Sequence, residues 1–248
     1  MQAHRKGIAM QNRIFSSDNP KAIKAQTYGW RNAIHYMAPA RLAGVGNLCP
    51  DKSPACEVLC LGVTSGAAIY YSSVIASRIA KAIRFMKERK AYLNDMSRSI
   101  RAEIRASDRA NVKLCVRPNG STDIPFEGIR DEDGLTLMER FAETQFTDYT
   151  KSIKRALAHA QGKMPRNYHL TFSRSETNHD DCLRVLQAGG NVAVIFGNGL
   201  PSTWEGYPVI NGDAHDLRHI DPKGVVVGLT PKGPKAKKDQ SGFVLRDY

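Results

Sequence analysis

The chain has 248 residues, 42% apolar and 24% charged, with 36 Lys and Arg against 24 Asp and Glu and a formal charge of +12. This composition excludes a disordered or fibrous chain. No window reaches the roughly 18 uninterrupted apolar residues of a membrane helix, and the basic N-terminus lacks an apolar signal core, so a soluble, cytoplasmic protein is expected.

The charge is uneven. Residues 1–111 hold 18 Lys and Arg against 7 Asp and Glu, whereas residues 112–248 hold 18 against 17. A positive field confined to one part of a chain favours a polyanionic partner such as nucleic acid, because neutralised phosphates release counterions.

In chain order, residues 1–30 are polar and mixed, and read as an N-terminal arm or irregular layer on a single α/β domain spanning 31–248. Ala33–Ala38 ends at Pro39 and reads as a short buried strand. A Gly- and Pro-rich loop, 44–66, follows and holds Cys49, Cys56 and Cys60. Then Ile75, Ile79, Ile83, Met86, Leu93, Met96, Ile100 and Ile104 trace the stripe of one long amphipathic helix. Its other face carries Arg78, Lys81, Arg84, Lys87, Arg89 and Lys90; Arg78, Arg84, Lys87 and Lys90 are the candidate nucleic-acid contacts.

From Val112 onward, short runs rich in Val, Phe, Tyr and Thr alternate with amphipathic stretches. Strands are expected near 112–117, 145–149, 168–172, 192–196, 207–210 and 225–229, and helices at 134–143, 151–161 and 179–188. The last helix closes on Gly189-Gly190. Such alternation predicts a partial (β/α)6-type barrel or a curved, mainly parallel sheet, with the cysteine loop after its first strand.

Ligands of parallel α/β sheets bind beyond the carboxyl ends of the strands. The residues expected there are polar: Asn119, Ser121, Asp123 and Glu127 after one strand, then Asp148, Tyr149 and Lys151, then Ser173 and Arg174, then Asp213, Asp216 and Arg218. Asn119, Ser121, Asp123, Glu127, Ser173 and Arg174 are the candidate cofactor contacts. Asp148, Tyr149, Lys151, Asp213, Asp216 and Arg218 are the candidates for catalysis or substrate binding. No phosphate loop, dinucleotide fingerprint, nucleophile elbow or histidine-pair metal motif is present.

Five cysteines without an export signal do not suggest a disulfide framework. Cys115 and Cys182 lie in apolar surroundings and read as core residues. Cys49, Cys56 and Cys60 are the candidate metal ligands. Structural zinc takes four protein ligands, whereas a [4Fe–4S] cluster held by only three thiolates keeps one iron open for a substrate or cofactor. Iron–sulfur is the leading expectation and zinc the alternative.

Asn47-Leu-Cys-Pro with its two following cysteines, Val116-Arg-Pro-Asn-Gly-Ser-Thr-Asp-Ile-Pro-Phe-Glu127, Gln145-Phe-Thr-Asp-Tyr-Thr-Lys151, Tyr168-His-Leu-Thr-Phe-Ser-Arg-Ser-Glu176 and Ile210-Asn-Gly-Asp-Ala-His-Asp-Leu-Arg218 form an ordered series. Through it the chain resembles the phage "gene product 88" family over residues 36–244, which implies a phage or prophage origin and a host-cytoplasmic setting. Its architecture is also similar to that of radical S-adenosylmethionine enzymes, which carry three cysteines after the first strand of a partial barrel. The spacing differs: C-x6-C-x3-C here instead of C-x3-C-x2-C, with no Gly-Gly-Glu segment. That likeness implies a [4Fe–4S] cluster, with S-adenosylmethionine as a further cofactor whose amino group would meet Asp123 or Glu127. The expected function is a phage-type, radical S-adenosylmethionine-like iron–sulfur enzyme acting on an unidentified substrate, nucleic acid or nucleotide among the candidates. The alternative is a non-catalytic nucleic-acid-binding or host-modulating protein with structural zinc.

Overall fold

The computed structural model describes residues 14–18 and 20–248. A short strand β1 (Phe15–Ser16) and helix α1 (Pro20–Gln26) precede β2 (Trp30–His35). β1 pairs antiparallel with β2, and Ala22 and Ala25 of α1 are fully buried. The described part of the expected N-terminal arm or layer thus packs on the domain through β1 and α1; residues 1–13 and 19 lie outside the described residues.

After β2 come three short helices, α2 (Pro54–Val58), α3 (Leu61–Thr64) and α4 (Ala67–Tyr70). The expected single long helix is two, α5 (Ser72–Lys87) and α6 (Arg89–Arg109). The break falls at Glu88, at φ −129° and ψ 46°. It coincides with the seven-residue gap in the apolar stripe between Met86 and Leu93, and the buried rings of Phe85 and Tyr92 meet across it at 5.9 Å.

The remaining elements are β3 (Lys113–Arg117), α7 (Leu137–Arg140), β4 (Gln145–Thr150), α8 (Ile153–Ala160), β5 (Tyr168–Ser173), α9 (His179–Gln187), β6 (Val192–Phe196), β7 (Thr203–Trp204), β8 (Tyr207–Asn211), β9 (Val226–Leu229), α10 (Gly233–Lys237) and β10 (Val244–Leu245). The helix expected over 134–143 is a single turn. The Asp131 carboxylate binds the backbone N–H of Asp133 and Leu135 and so holds the preceding residues in a loop, while the Thr136/Glu139 capping box starts the turn.

The sheet runs β1-β2-β3-β4-β5-β6-β9-β8-β7, with β10 added beside β6. From β2 through β8 every neighbouring pair is parallel. The fold is therefore mixed α/β around a central, mainly parallel sheet. Its pairing path is open, since no described residues of β8 pair with β2, so a closed barrel is not what these strands form. Strand order also departs from chain order at β9, which inserts between β6 and β8.

β5 and β6 pair only at Phe172/Ser173 with Val192/Ala193; farther along, β6 pairs with β10 instead. The sheet thus splits at the carboxyl ends of these strands, and the C-terminal segment fills the gap.

Side chains alternate between two chemically different faces. One presents Leu114, Val116, Phe146, Tyr168, Leu170, Phe172, Val192, Val194 and Val226, all buried, and packs with α6, α8 and α9. Register places Asn32, Cys115, Arg117, Thr147, Tyr149, His169, Thr171 and Ser173 on the other.

Candidate functional site

The loop from Tyr36 to Cys60 leaves the carboxyl end of β2 and is tied to the loop after β3: the N–H of Asp123 donates to the Leu48 carbonyl at 2.9 Å. Ser121 lies at the centre of this junction. Its hydroxyl donates to the Met37 carbonyl at 2.6 Å, and its own carbonyl lies 3.9 Å from the Cys49 sulfur. A Cβ on Gly62 would stand 2.6 Å from the Ser121 Cβ and 3.4 Å from the Cys60 sulfur, so glycine permits this approach. Ser53 caps α2 by accepting from the Cys56 N–H at 3.2 Å. Glu176, beyond β5, anchors the same turn by accepting from the Ser53 hydroxyl at 2.7 Å and the Ala55 N–H at 3.0 Å. Loops following β2, β3 and β5 therefore meet at one rim.

Cys49, Cys56 and Cys60 are free thiols, each partly buried. Burial pushes Cys49 up to about 12, with the neighbouring Cys60 and Cys56 adding to the rise. Burial also raises Cys60, opposed by the Gly62 backbone N–H and by Arg78 and Lys151. The thiols thus face one another electrostatically, next to two cations. Soft sulfur donors of this kind suit zinc or an iron–sulfur cluster. Among the described residues, no three His, Cys, Asp or Glu side chains are grouped so as to hold one metal ion, so binding would require the loop to draw the sulfurs together.

The other rim residues are fixed by a network of their own. Asp123 accepts from the Lys151 N–H at 2.8 Å and the Thr150 hydroxyl at 3.1 Å, and pairs with Arg155, which also bridges to Glu127 at 2.6 Å. Burial raises the Asp123 pKa in spite of Arg155. Lys151 donates to the Ser173 hydroxyl at 2.7 Å and lies 5.2 Å from the centre of the Phe243 ring. Arg174 binds the Gly242 carbonyl at 2.7 Å. Ser121, Asp123, Lys151 and Ser173 therefore lie around the cysteine loop, whereas Glu127 and Arg174 are engaged in holding loops.

Asp148 faces the helical layer. It accepts at 2.8 Å from the backbone N–H of Asn119, from the Asn119 amide and from the Tyr168 hydroxyl, all buried. Asn119 in turn accepts from Thr122 and the Ile124 N–H. This pair shapes the loop that presents Ser121 and Asp123, and the strand alternation explains its place: Asp148 shares its side of the sheet with Tyr168 and Leu170.

Tyr149, Asp216 and Arg218 belong to a second polar region. Asp213, after β8, accepts from the Thr230 hydroxyl at 2.6 Å and pairs with Lys232 at 2.8 Å. From there the chain descends over the polar face of the sheet to His219, whose ring lies 4.3 Å from that of Trp30 at the start of β2. On the way Arg117 approaches Asp216 at 3.7 Å and stacks 4.7 Å from the Tyr149 ring centre, while Arg218, 1% exposed on its side chain, meets Asp221 at 3.3 Å. Burial drives Tyr149 up to about 12, His169 down to about 3 and His219 down to about 4. Side-chain atoms of Asn32, Arg117, Thr147, Arg218, His219 and Asp221 have no hydrogen-bond partner among the described residues. Asn32, Thr147, His169 and His219 were not among the expected site residues. For Asn32, Thr147 and His169 the alternation of side chains along β2, β4 and β5 is the signal that points to them; His219 lies outside the strands.

Of the expected nucleic-acid contacts, Arg78 donates to the Gly62 carbonyl and stacks 4.7 Å from the Tyr36 ring centre, and Arg84 pairs with Asp95 and Glu88. Lys87 and Lys90 are exposed.

Residues 12–247 match the family described as Gene product 88, and the chain belongs to that family. No curated protein and no solved structure matches it.

Proposed function

Taking membership of the Gene product 88 family as the setting, we propose that Cys49, Cys56 and Cys60 hold an iron–sulfur cluster in an enzyme whose substrate is a nucleic acid or nucleotide. The observation that carries this reading is that the segment bearing three free thiols lies against the Ser121 loop, with Asp123, Lys151 and Ser173 at the same carboxyl ends of parallel strands, where α/β sheets place their ligands. Such a cluster supplies one-electron chemistry, with an open iron position where only three thiolates bind. Arg78 and Lys151 lower the cost of holding Cys60 as a thiolate. Asp123 is held by Arg155, and Lys151 offers a cation for a carboxylate or phosphate. S-adenosylmethionine is the proposed cofactor at this rim, with Asp123 or Glu127, the two carboxylates that share Arg155, receiving its amino group.

Anaerobic purification with iron and sulfide analysis tests the proposal. Stoichiometric iron and acid-labile sulfide, lost on Cys49→Ser, Cys56→Ser or Cys60→Ser, are expected; stoichiometric zinc, or no metal, refutes it. Formation of 5′-deoxyadenosine under reducing conditions tests the narrower cofactor assignment.

A further inference from the structure

Five of the large apolar side chains that stand exposed on this protein fall within fourteen residues beside the cysteine rim: Val58, Leu61, Ile69, Tyr70 and Tyr71, at 60, 45, 44, 78 and 62% exposure. Single exposed apolar residues are ordinary, but a run of five on α2, α3, α4 and the start of α5 is a surface in want of a partner. Leu61 follows Cys60 directly, and Val58 stands two residues before it.

The neighbour of this surface is basic. α10 is seated on α3: a Cβ on Gly233 would meet the Thr64 carbonyl oxygen at 2.7 Å. Between residues 222 and 238 the chain carries Lys223, Lys232, Lys235, Lys237 and Lys238 and no Asp or Glu. Lys232 is engaged by Asp213, but Lys235, Lys237 and Lys238 are exposed and take part in none of the ion pairs among the described residues. Asp239, the next acid, is buried and accepts from the Ser241 hydroxyl and the Val244 N–H. Nearby Glu57 pairs with Lys52. α4 and α10 both pack against α3, so two adjacent exposed tyrosines and uncompensated lysines share one helix as neighbour and offer stacking platforms for bases and cations for phosphates.

We propose that this surface, Tyr70 and Tyr71 with Lys235, Lys237 and Lys238, binds single-stranded nucleic acid and lays it along the cysteine rim. It deepens the reading above by naming a substrate class, yet different residues carry it, so each can fail alone. A duplex does not fit this chemistry, because its bases are already stacked and their faces closed to the tyrosines. The exposed end of the basic helices, at Lys87 and Lys90, offers charge without aromatic rings.

Fluorescence anisotropy of the full chain, as purified and after metal removal, with 20-nucleotide single-stranded DNA and RNA and the matching duplex tests the assignment. Single strands should bind at least tenfold more tightly than duplex. Tyr70→Ala/Tyr71→Ala should weaken binding by about tenfold or more. Lys235→Gln/Lys237→Gln/Lys238→Gln should reduce the slope of log affinity against log salt by about 2, whereas Lys87→Gln/Lys90→Gln should leave affinity within about twofold. Far-UV circular dichroism confirms that the variants fold. Equal binding of duplex, an effect confined to Lys87 and Lys90, or binding only to vesicles containing 30% phosphatidylserine overturns the proposal. Strand binding that survives metal removal upholds it whatever the cysteines hold.

Discussion

The carboxylate of Asp148 is a sensitive test of how the rim is held together. Replacing it with Ala removes the acceptor for three donors at 2.8 Å: the backbone N–H of Asn119, the Asn119 amide and the Tyr168 hydroxyl. Asn119 and Tyr168 are 2% exposed, so water cannot readily replace the lost partner. Each stranded donor costs about 1–3 kcal/mol. Burial already holds the Asp148 pKa at about 6, so removing a carboxylate that is costly to ionise returns part of this, and the net loss should be about 4 kcal/mol. In urea unfolding followed by circular dichroism, with a slope near 3 kcal/mol/M, the midpoint should fall by about 1.3 M. Asp148→Asn keeps one acceptor and should lose about half as much. The raised pKa gives a sign as well: this group's contribution is fully present below its unfolded value of 3.8 and is lost as pH rises through about 6. An Asp148→Ala protein within about 1 kcal/mol of the wild type would refute the assignment of Asp148 as the post on which the Ser121 loop hangs.

Other outcomes follow from the same geometry. Arg155→Ala leaves Asp123 and Glu127 without their shared cation in a mostly buried site, and should cost about 3–5 kcal/mol by the same urea assay; Arg155→Lys, which cannot bridge both carboxylates, should recover only part. Gly120→Ala places a Cβ 2.6 Å from the His35 carbonyl oxygen and should destabilise by at least about 2 kcal/mol, while Gly128→Ala, with open space around it, should change stability by under about 0.5 kcal/mol. Burial lowers His169 to about 3, so the unfolded chain binds more protons between there and the ordinary value of 6.5, and stability is lost as pH falls through that window. His169→Gln should flatten the slope of stability against pH there by about 1.4 kcal/mol per unit relative to wild type, a difference that cancels the opposite contributions of Asp148 and Asp221.

The strands were legible because their signal is local. Runs such as Val192–Phe196 and Tyr168–Ser173 are short, β-branched or aromatic, and bounded by turns, and they fold as strands with ends within a residue of expectation. Helix α9 closes before Gly189, which takes φ 81°, as its sequence requires. The long helix was misjudged although its warning was present, in the apolar gap between Met86 and Leu93. The insertion of β9 between β6 and β8 had no local signal, because pairing partners are set by contacts between segments far apart in the chain.

The candidate site divides in the same way. Ser121, Asp123, Lys151 and Ser173 lie near one end of the sheet, because a parallel strand delivers the following loop to a fixed end, whereas Tyr149, Asp216 and Arg218 belong to a second polar region. Asp148 lies inside β4, where side-chain direction alternates with a period of two, and a shift of one position sends a carboxylate to the helical layer instead of the rim.

By itself, the sequence determined a mixed α/β fold around a mainly parallel sheet and family membership, since these rest on local pattern and ordered motifs. Only the tertiary structure decided what the polar residues do, because burial and pairing are properties of distant segments brought together. It took Asp148, Glu127 and Arg84 into internal pairs, gathered Asn32, Thr147, His169 and Arg218 onto one buried face, and set α10 with its lysines against α3, the helix that also packs with α4. The opening charge of +12 is thereby divided again: the arginines at 78 and 84 are largely spent within the fold, and uncompensated cations stand out on a segment from the half of the chain that is nearly neutral in sum.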